Sequence, residues 1–340
     1  MLYTKPYFFD NFKCKADKCT DTCCAGWEVD VDSGSYEKYM SAQCNLKDKL
    51  RNNIVCEDGQ YCFRLTPDER CVFLDCNGLC EIYSQLGEDY LCDICREHPR
   101  FYDFFDGVTE SGLGLCCEKV CEMIFVSDAP ITFETYSDEC DDEMYDDDIF
   151  YFQIRQKCFD IICDRTERLS KRIVTLLDFI AKVQNDINTD VRYSIQMINR
   201  NKLFSSVIDL FIKTEAINNE WTEYINYLSE NKDKFFSVAE KIPADDVRYE
   251  QILTYLLYRH FMQSRYEGNV SDYVCFCVAS LIFIYIADCK TYVESGCINM
   301  TDRINNVKFW SKQIEYSTDN IKIVTDEITG LFFEQRVFNV

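Results

Sequence analysis

The feature that most constrains this chain is the distribution of its thiols. Sixteen of 22 cysteines lie before residue 141, and four of them, Cys14, Cys19, Cys23 and Cys24, fall within eleven residues. Eight of eleven glycines and four of five prolines share that stretch, so turns such as Asn77-Gly78 and His98-Pro99 interrupt any long periodic run. A loop-rich region of this kind seldom holds itself together by a hydrophobic core alone. A metal centre supplies the missing cross-links, because its binding energy is also folding energy. The opening MLYTKPYFFDNFKCK lacks a basic segment followed by an uninterrupted apolar run. That favours the cytoplasm, where thiols persist as thiols and disulfides recede.

The second part differs. From about Phe150 onward apolar residues recur at three- and four-residue spacing, as in Ile154, Cys158, Ile161, Ile162, Leu169, Ile173, Leu177 and Ile180, which is one face of a helix. Similar patterns run from Leu203 to Ile212, Ile252 to Met262, Val274 to Ala287 and Val307 to Ile314, with no sustained strand alternation. The expected fold is mainly α: a cysteine-rich, loop-rich metal-binding domain over residues 1–137, then an α-helical bundle over residues 149–340. Between them lies DECDDEMYDDD, residues 138–148, with eight acidic side chains of eleven. Mutual repulsion makes it a solvated linker, with a docking surface for a basic partner as the alternative.

Asp and Glu outnumber Lys and Arg by 59 to 36, giving a formal net charge of −23. Phosphate neutralisation needs clustered basic side chains, so a nucleic-acid partner is not expected and a basic protein partner fits better. The apolar run VCFCVASLIFIYIA, residues 274–287, holds fourteen residues, short of the roughly 20 that span a bilayer. It is expected to be a buried helix, and no membrane partner is expected. Cys158, Cys163, Cys275, Cys277, Cys289 and Cys297 sit among apolar neighbours and are assigned to packing.

The thiols of the first part include four groups: Cys14/Cys19/Cys23/Cys24, Cys71/Cys76/Cys80, Cys92/Cys95 and Cys116/Cys117/Cys121. A short spacer lets two sulfurs converge while folding brings distant groups in to close the shell, and soft thiolates select zinc or iron–sulfur over magnesium or calcium. Spacing leaves open one iron–sulfur cluster, a zinc site, or both. Only two histidines exist, His98 and His260, which nearly excludes mixed Cys/His zinc patterns. His98 is expected at the surface or beside a ligand, and His260 on a helix face. Adjacent side chains generally diverge, so one of Cys23 and Cys24 is expected to leave the principal centre for a second site or the fold. There is no GxxxxGK(S/T) loop, GxSxG elbow or HExxH motif, which leaves phosphate-loop, serine-hydrolase and zincin chemistry without support. The run Ser111-Gly112-Leu113-Gly114-Leu115-Cys116 lacks a third glycine and is not expected to bind a dinucleotide.

Three segments, FKCKADKCTDTCCAGWEVDVD (residues 12–32), ERCVFLDCNGLCEIYSQLGEDYLCDICREHPR (69–100) and GLGLCCEKVC (112–121), together resemble the flagellin lysine N-methylases. That family belongs to a wider group named for a zinc- or iron-chelating CxxCxxxCC-type domain. A weaker likeness continues in YLLYRHFM (255–262) and FWSKQIEYSTDNI (309–321). The family pattern implies Cys14, Cys19, Cys23, Cys24, Cys71, Cys80, Cys95 and Cys116 as metal ligands. Cys44, Cys56, Cys62, Cys76, Cys92, Cys117 and Cys121 fall outside it. The family tends to have proline where this chain has Cys117, which leaves Cys116 and Cys117 as alternatives for the working thiol.

The resemblance also implies methyl transfer from S-adenosylmethionine to lysine amines of flagellin, with a 4Fe–4S cluster involved and zinc as the alternative metal. An incompletely thiolated iron can chelate the amino and carboxylate ends of the methionine moiety, which would account for the missing glycine loop. The attacking lysine, with an ordinary pKa of about 10.4, must first lose a proton. Glu315 and Tyr255, in the two family-like helical segments, are the candidate catalytic acceptors, each with a structural role as the alternative. Arg100 is a candidate to pair with a cofactor carboxylate, or else forms a salt bridge. Trp27 is a candidate to flank a cationic substrate, or else anchors the cysteine loop. The competing function is a non-enzymatic zinc or iron module, either a metallochaperone or a structural zinc adaptor.

Overall fold

Capping residues and glycines set the ends of the helices that dominate the computed structural model, which describes residues 1–57, 59–137, 146–242 and 245–337. In the first part the elements are short: β1 (Leu2–Pro6), α1 (Ser33–Ser41), α2 (Lys47–Asn52), β2 (Ile54–Glu57), β3 (Gln60–Phe63), α3 (Glu81–Leu86), α4 (Asp93–Glu97), β4 (Arg100–Phe105), β5 (Val108–Leu113), α5 (Glu118–Phe125) and β6 (Phe133–Ser137). The second part carries α6 (Asp146–Ile162), α7 (Leu169–Ile187), β7 (Val191–Ile195), α8 (Arg200–Phe211), α9 (Asn219–Glu230), α10 (Lys232–Phe236), α11 (Asp246–His260), α12 (Val270–Ser295), α13 (Met300–Ile314), α14 (Thr318–Phe332) and β8 (Phe333–Val337). The chain is thus mainly α, with a helical bundle in its second part.

Local chemistry explains the helix that matters most to the site. Asn299 and Asp302 form a reciprocal capping box at the start of α13, satisfying backbone N–H groups that have no partner within the helix. Ser317 accepts from Asn320 N and so starts α14 directly after α13 ends. Residues 315–317 are held in that tight connection. α12 ends at Gly296, whose φ of +76° is the left-handed conformation that glycine adopts without steric penalty.

Two hydrophobic cores form. The smaller lies within residues 29–92 and packs Val29, Val31, Tyr39, Leu50, Phe63, Phe73, Ile82, Cys71 and Cys92, with Cys24, Cys44, Cys80 and Cys95 against it. The larger takes in Phe8, Val108 and Leu113 together with Ile154, Leu253, Phe276 and Trp310. Packing therefore groups the four-stranded sheet, ordered β4-β5-β1-β6, with the helices. A buried ion pair between Glu110 of β5 and Arg155 of α6 fixes that union. Tyr258 of α11 adds to it, donating at 3.0 Å to the carbonyls of Thr4 and Ser111.

Four details differ from the sequence expectations. β7 and β8 pair antiparallel inside the helical part, Val191 opposite Val337 and Ile195 opposite Phe333; each strand has five residues, too few to stand out as sustained alternation. The helix around residues 274–287 is much longer, and α12 is long and apolar enough by length and composition to cross a membrane, yet 78% of its apolar window is buried inside the protein. Of the acidic run, residues 138–145 lie outside the described residues, and Asp146–Asp148 open α6. Asp148 is buried and paired with Arg265 rather than solvated. Among the cysteines assigned to packing, Cys158, Cys275, Cys277 and Cys289 are buried, Cys163 is half-buried, and Cys297 is exposed beyond the end of α12.

Candidate functional site

The loop of residues 19–27, the turn of residues 95–99 with the start of α5, and the C-terminal end of α13 meet at one place. Charged groups hold the loop there. Glu118, at the first position of α5, accepts from Thr20 N at 3.0 Å and from the Thr20 hydroxyl, and pairs with Lys15. Its Oε2 lies 3.8 Å from the Cys19 sulfur. Lys308 and Lys312 of α13 reach Asp21, Lys308 at 3.3 Å, and Lys312 also donates to the Thr22 carbonyl at 3.2 Å. Burial pushes the Asp21 carboxyl up, but the two lysines outweigh it and hold it below its ordinary range.

The thiols occupy both sides of this loop. The sulfurs of Cys23 and Cys24 stand 3.9 Å apart, which corrects the expectation that they turn away from each other. A shared hydrogen bond pushes the Cys23 thiol up. Cys24 leads into the small core, where its carbonyl accepts from Cys71 N at 2.8 Å. Cys80 and Cys92 immediately precede α3 and α4, and Cys95 lies within α4. Cys95 feels the charges of Cys92, Cys24 and Cys80, and Cys71 those of Cys80 and Cys92, so these five thiols are close neighbours. A hydrogen bond from Cys95 holds the fully buried Cys92 below its ordinary pKa, while the same bond pushes Cys95 up. Cys92 lay outside the expected ligand set.

On the other side, burial pushes Cys117 up to about 11 and Cys116 up to about 12. Cys117 feels Cys23 and Cys19, so the vicinal pair borders both groups. The Cys116 sulfur lies 3.9 Å from His98 Nε2. Cys14 is exposed, its sulfur accepting from Ala16 N at 3.4 Å. Among the described residues no three His, Cys, Asp or Glu side chains form a group that could hold a metal ion.

Next to Cys116 lies a buried polar network. Tyr255 donates toward Glu315 at 3.4 Å and accepts from Leu115 N at 3.3 Å and from Arg259 at 2.8 Å. His260 bonds Glu315 Oε1 at 2.8 Å, Arg259 Nε lies 3.5 Å from the same oxygen, and Ser311 donates to Oε2. The Glu315 side chain has no exposed surface. Burial pushes its carboxyl up, but Arg259 and His260 hold it below the usual range. Burial also depresses His260 and holds His98 down at about 4, with Lys312 and Arg259 adding to the effect at His98, so both rings are neutral at pH 7. The two candidates from the helical segments, Glu315 and Tyr255, are thus brought together.

Aromatic rings close the outer side. Trp27 stacks on Tyr316 with ring centroids 5.4 Å apart and 20° between planes, and His98 lies 5.8 Å from Trp27 and 6.3 Å from Tyr316. Tyr316 shares a hydrogen bond with Cys116. At Gly114 a Cβ would collide with the Tyr316 hydroxyl, so a larger residue there would displace that ring. Arg100 is elsewhere, its guanidinium 5.3 Å from the Phe12 ring and 5.9 Å from Phe9. Arg259, Lys308, Lys312 and Tyr316 were not singled out from sequence. All but Lys308 fall inside the two helical segments, YLLYRHFM and FWSKQIEYSTDNI, that carry the family likeness, and this was the available signal.

Fold and site together define a mainly α, cysteine-rich protein in which clustered thiols abut a buried polar network. The chain is related to the flagellin lysine N-methylases. It is 26% identical over 127 residues to the flagellar biosynthetic protein FliU of Salmonella muenchen, a match covering 36% of this chain and 75% of that protein. It is 25% identical over 127 residues to the lysine-N-methylases of Salmonella typhimurium and Salmonella choleraesuis. Those matches cover 36% of this chain and span about a third, 32%, of the length of each of the two methylases. No family model and no solved structure matches the chain.

Proposed function

We propose that the protein is a cytoplasmic, S-adenosylmethionine-dependent protein-lysine N-methyltransferase that acts on flagellin and carries a 4Fe–4S cluster. The observation that carries this reading is the meeting of thiols from distant segments with the rings of Trp27 and Tyr316 and the buried Glu315 network. The names of the relatives, lysine-N-methylase and flagellar biosynthetic protein, point the same way. Sulfur ligands suit iron–sulfur and zinc alike, and among the described residues no three such side chains are yet drawn into one metal-sized group. Cys24, Cys71, Cys80 and Cys95, neighbours around the small core, would hold the cluster. When bound, such a cluster would supply a place for the amino and carboxylate ends of the methionine moiety.

The chain's own residues then have distinct tasks. The substrate lysine is cationic in water and must lose its proton before the amine attacks the sulfonium methyl. Tyr255 joins Leu115 N and Arg259 to Glu315 and offers the proton a path to that carboxylate. Because Arg259 and His260 hold Glu315 low, it is a weak base. The overall acidity of the chain attracts lysine-rich surfaces.

Anaerobic purification followed by iron, sulfide and visible-absorption analysis tests the cluster, and mass analysis of co-incubated flagellin tests the transfer. We expect iron with acid-labile sulfide, and added methyl groups on lysine. Zinc at full occupancy, without sulfide and without a mass shift, would overturn the proposal in favour of a non-enzymatic zinc module.

A further inference from the structure

Building on the lysine-methylation reading, we infer that Trp27, His98 and Tyr316 form the receptor for the cationic side chain of the substrate lysine. The three rings come from different parts of the chain: the loop after Cys24, the turn before β4, and the connection between α13 and α14. All three centroids lie within 6.3 Å of one another. A hydrophobic core would cover such rings, yet Tyr316 stays 40% exposed, and Trp27 and His98 are half-buried. The cluster opens beside Cys116, whose sulfur is 3.9 Å from His98.

The rings already attract cations. Lys312 Nζ lies 5.7 Å from the Trp27 centroid, and the Arg259 guanidinium 5.1 Å from that of Tyr316. Lys312 and Lys308 share Asp21, Lys308 also lies 3.8 Å from Glu118, and Arg259 faces Glu315. Carboxylates thus face the cations nearest the rings. Aromatic faces hold ammonium and methylated ammonium groups through the ring quadrupole, so the receptor takes lysine before transfer and methyl-lysine after it. An uncharged side chain of the same length gains only apolar contact.

Intrinsic fluorescence gives a direct readout, because Trp221 and Trp310 are fully buried and Trp27 is the only other tryptophan. The protein as isolated would be titrated with Gly-Lys-Gly amide, its trimethyl-lysine form and the norleucine isostere. Both cationic peptides are expected to give a saturable change, and the norleucine peptide none. Tyr316→Ala is expected to weaken binding about tenfold, the order of a desolvated cation–π contact. Tyr316→Phe keeps the ring but loses the bond to Cys116, and is expected to restore affinity, which a merely structural hydroxyl would not allow. Equal binding of norleucine, unchanged affinity in Tyr316→Ala, or no saturable response to either cation would overturn the receptor. Binding is read without any methyl transfer. Cation binding with no transfer to flagellin would therefore remove the enzyme reading and leave the receptor standing.

Discussion

Glu315 sits where burial and charge act in opposition. Four partners, Arg259, His260, Ser311 and Tyr255, surround a carboxylate with no exposed surface. Removing the charge leaves Arg259 buried without its counter-ion, so Glu315→Gln should lower unfolding free energy by about 3 kcal/mol in urea denaturation. An unchanged transition would show that the network carries no stability. Glu118 offers a pH test. Burial pushes its carboxyl up, but Lys15 and Thr20 hold it at about 2 against an ordinary value of 4.5. A carboxylate depressed in the folded state stabilises above its unfolded pKa, and that contribution is lost as pH falls toward the folded value. The wild type should lose stability relative to Glu118→Gln between about pH 4.5 and about 2. Parallel acid-unfolding curves would contradict this.

At the scale of elements, α13 delivers Lys308, Lys312, and next to its end Glu315 and Tyr316, so its register is the register of the site. Asn299→Ala removes one arm of the capping box and should cost about 1 kcal/mol, seen as a lower urea midpoint. At the end of β5, Gly114→Ala should displace Tyr316 from Trp27 and reduce the near-ultraviolet dichroism of the stacked rings. A spectrum identical to wild type would mean that the tyrosine moves at no cost. The helices were legible in sequence because a 3.6-residue period is a local signal: the pattern from Ile154 to Ile180 became α6 and α7. The β7–β8 pair was not, since two five-residue strands some 140 positions apart gain their meaning only when paired. Legibility of the site was similarly divided. Cys71, Cys80 and Cys95 stood out by grouping, and Glu315 with Tyr255 by family-like segments. Cys92 falls outside the family pattern, and the structure places it in hydrogen-bonding reach of Cys95.

Across the whole molecule, the small core and the large core differ in what holds them. The large core is apolar and centred on α12, whose Val274 to Ser280 are all buried, a helix apolar all round. The small core has fewer large side chains and six thiols packed in or beside it. If the proposed metal centre is bound there, removing it with a chelator should open the region of residues 24–95 first. Mass-mapped alkylation should then label Cys71, Cys80 and Cys92, while Cys158, Cys275 and Cys277 stay protected. Simultaneous labelling of both sets would show that the two cores unfold as one.

The sequence by itself determined the chemical kind of this protein: thiols concentrated in a turn-rich first part, helical periodicity in the second, an acidic balance, and family-like segments around the cysteines. These are properties of composition and local spacing, which no tertiary arrangement alters. Tertiary structure alone decided that the first-part sheet joins the helical core through Arg155 and Glu110, and that Cys23 and Cys24 point together. It also decided that Trp27, His98, Cys116 and Tyr316, nearly 290 residues apart at the extremes, share one site. Those outcomes depend on long-range packing and on charge pairs such as Asp21 with Lys312, whose energies exist only once distant segments have been brought together.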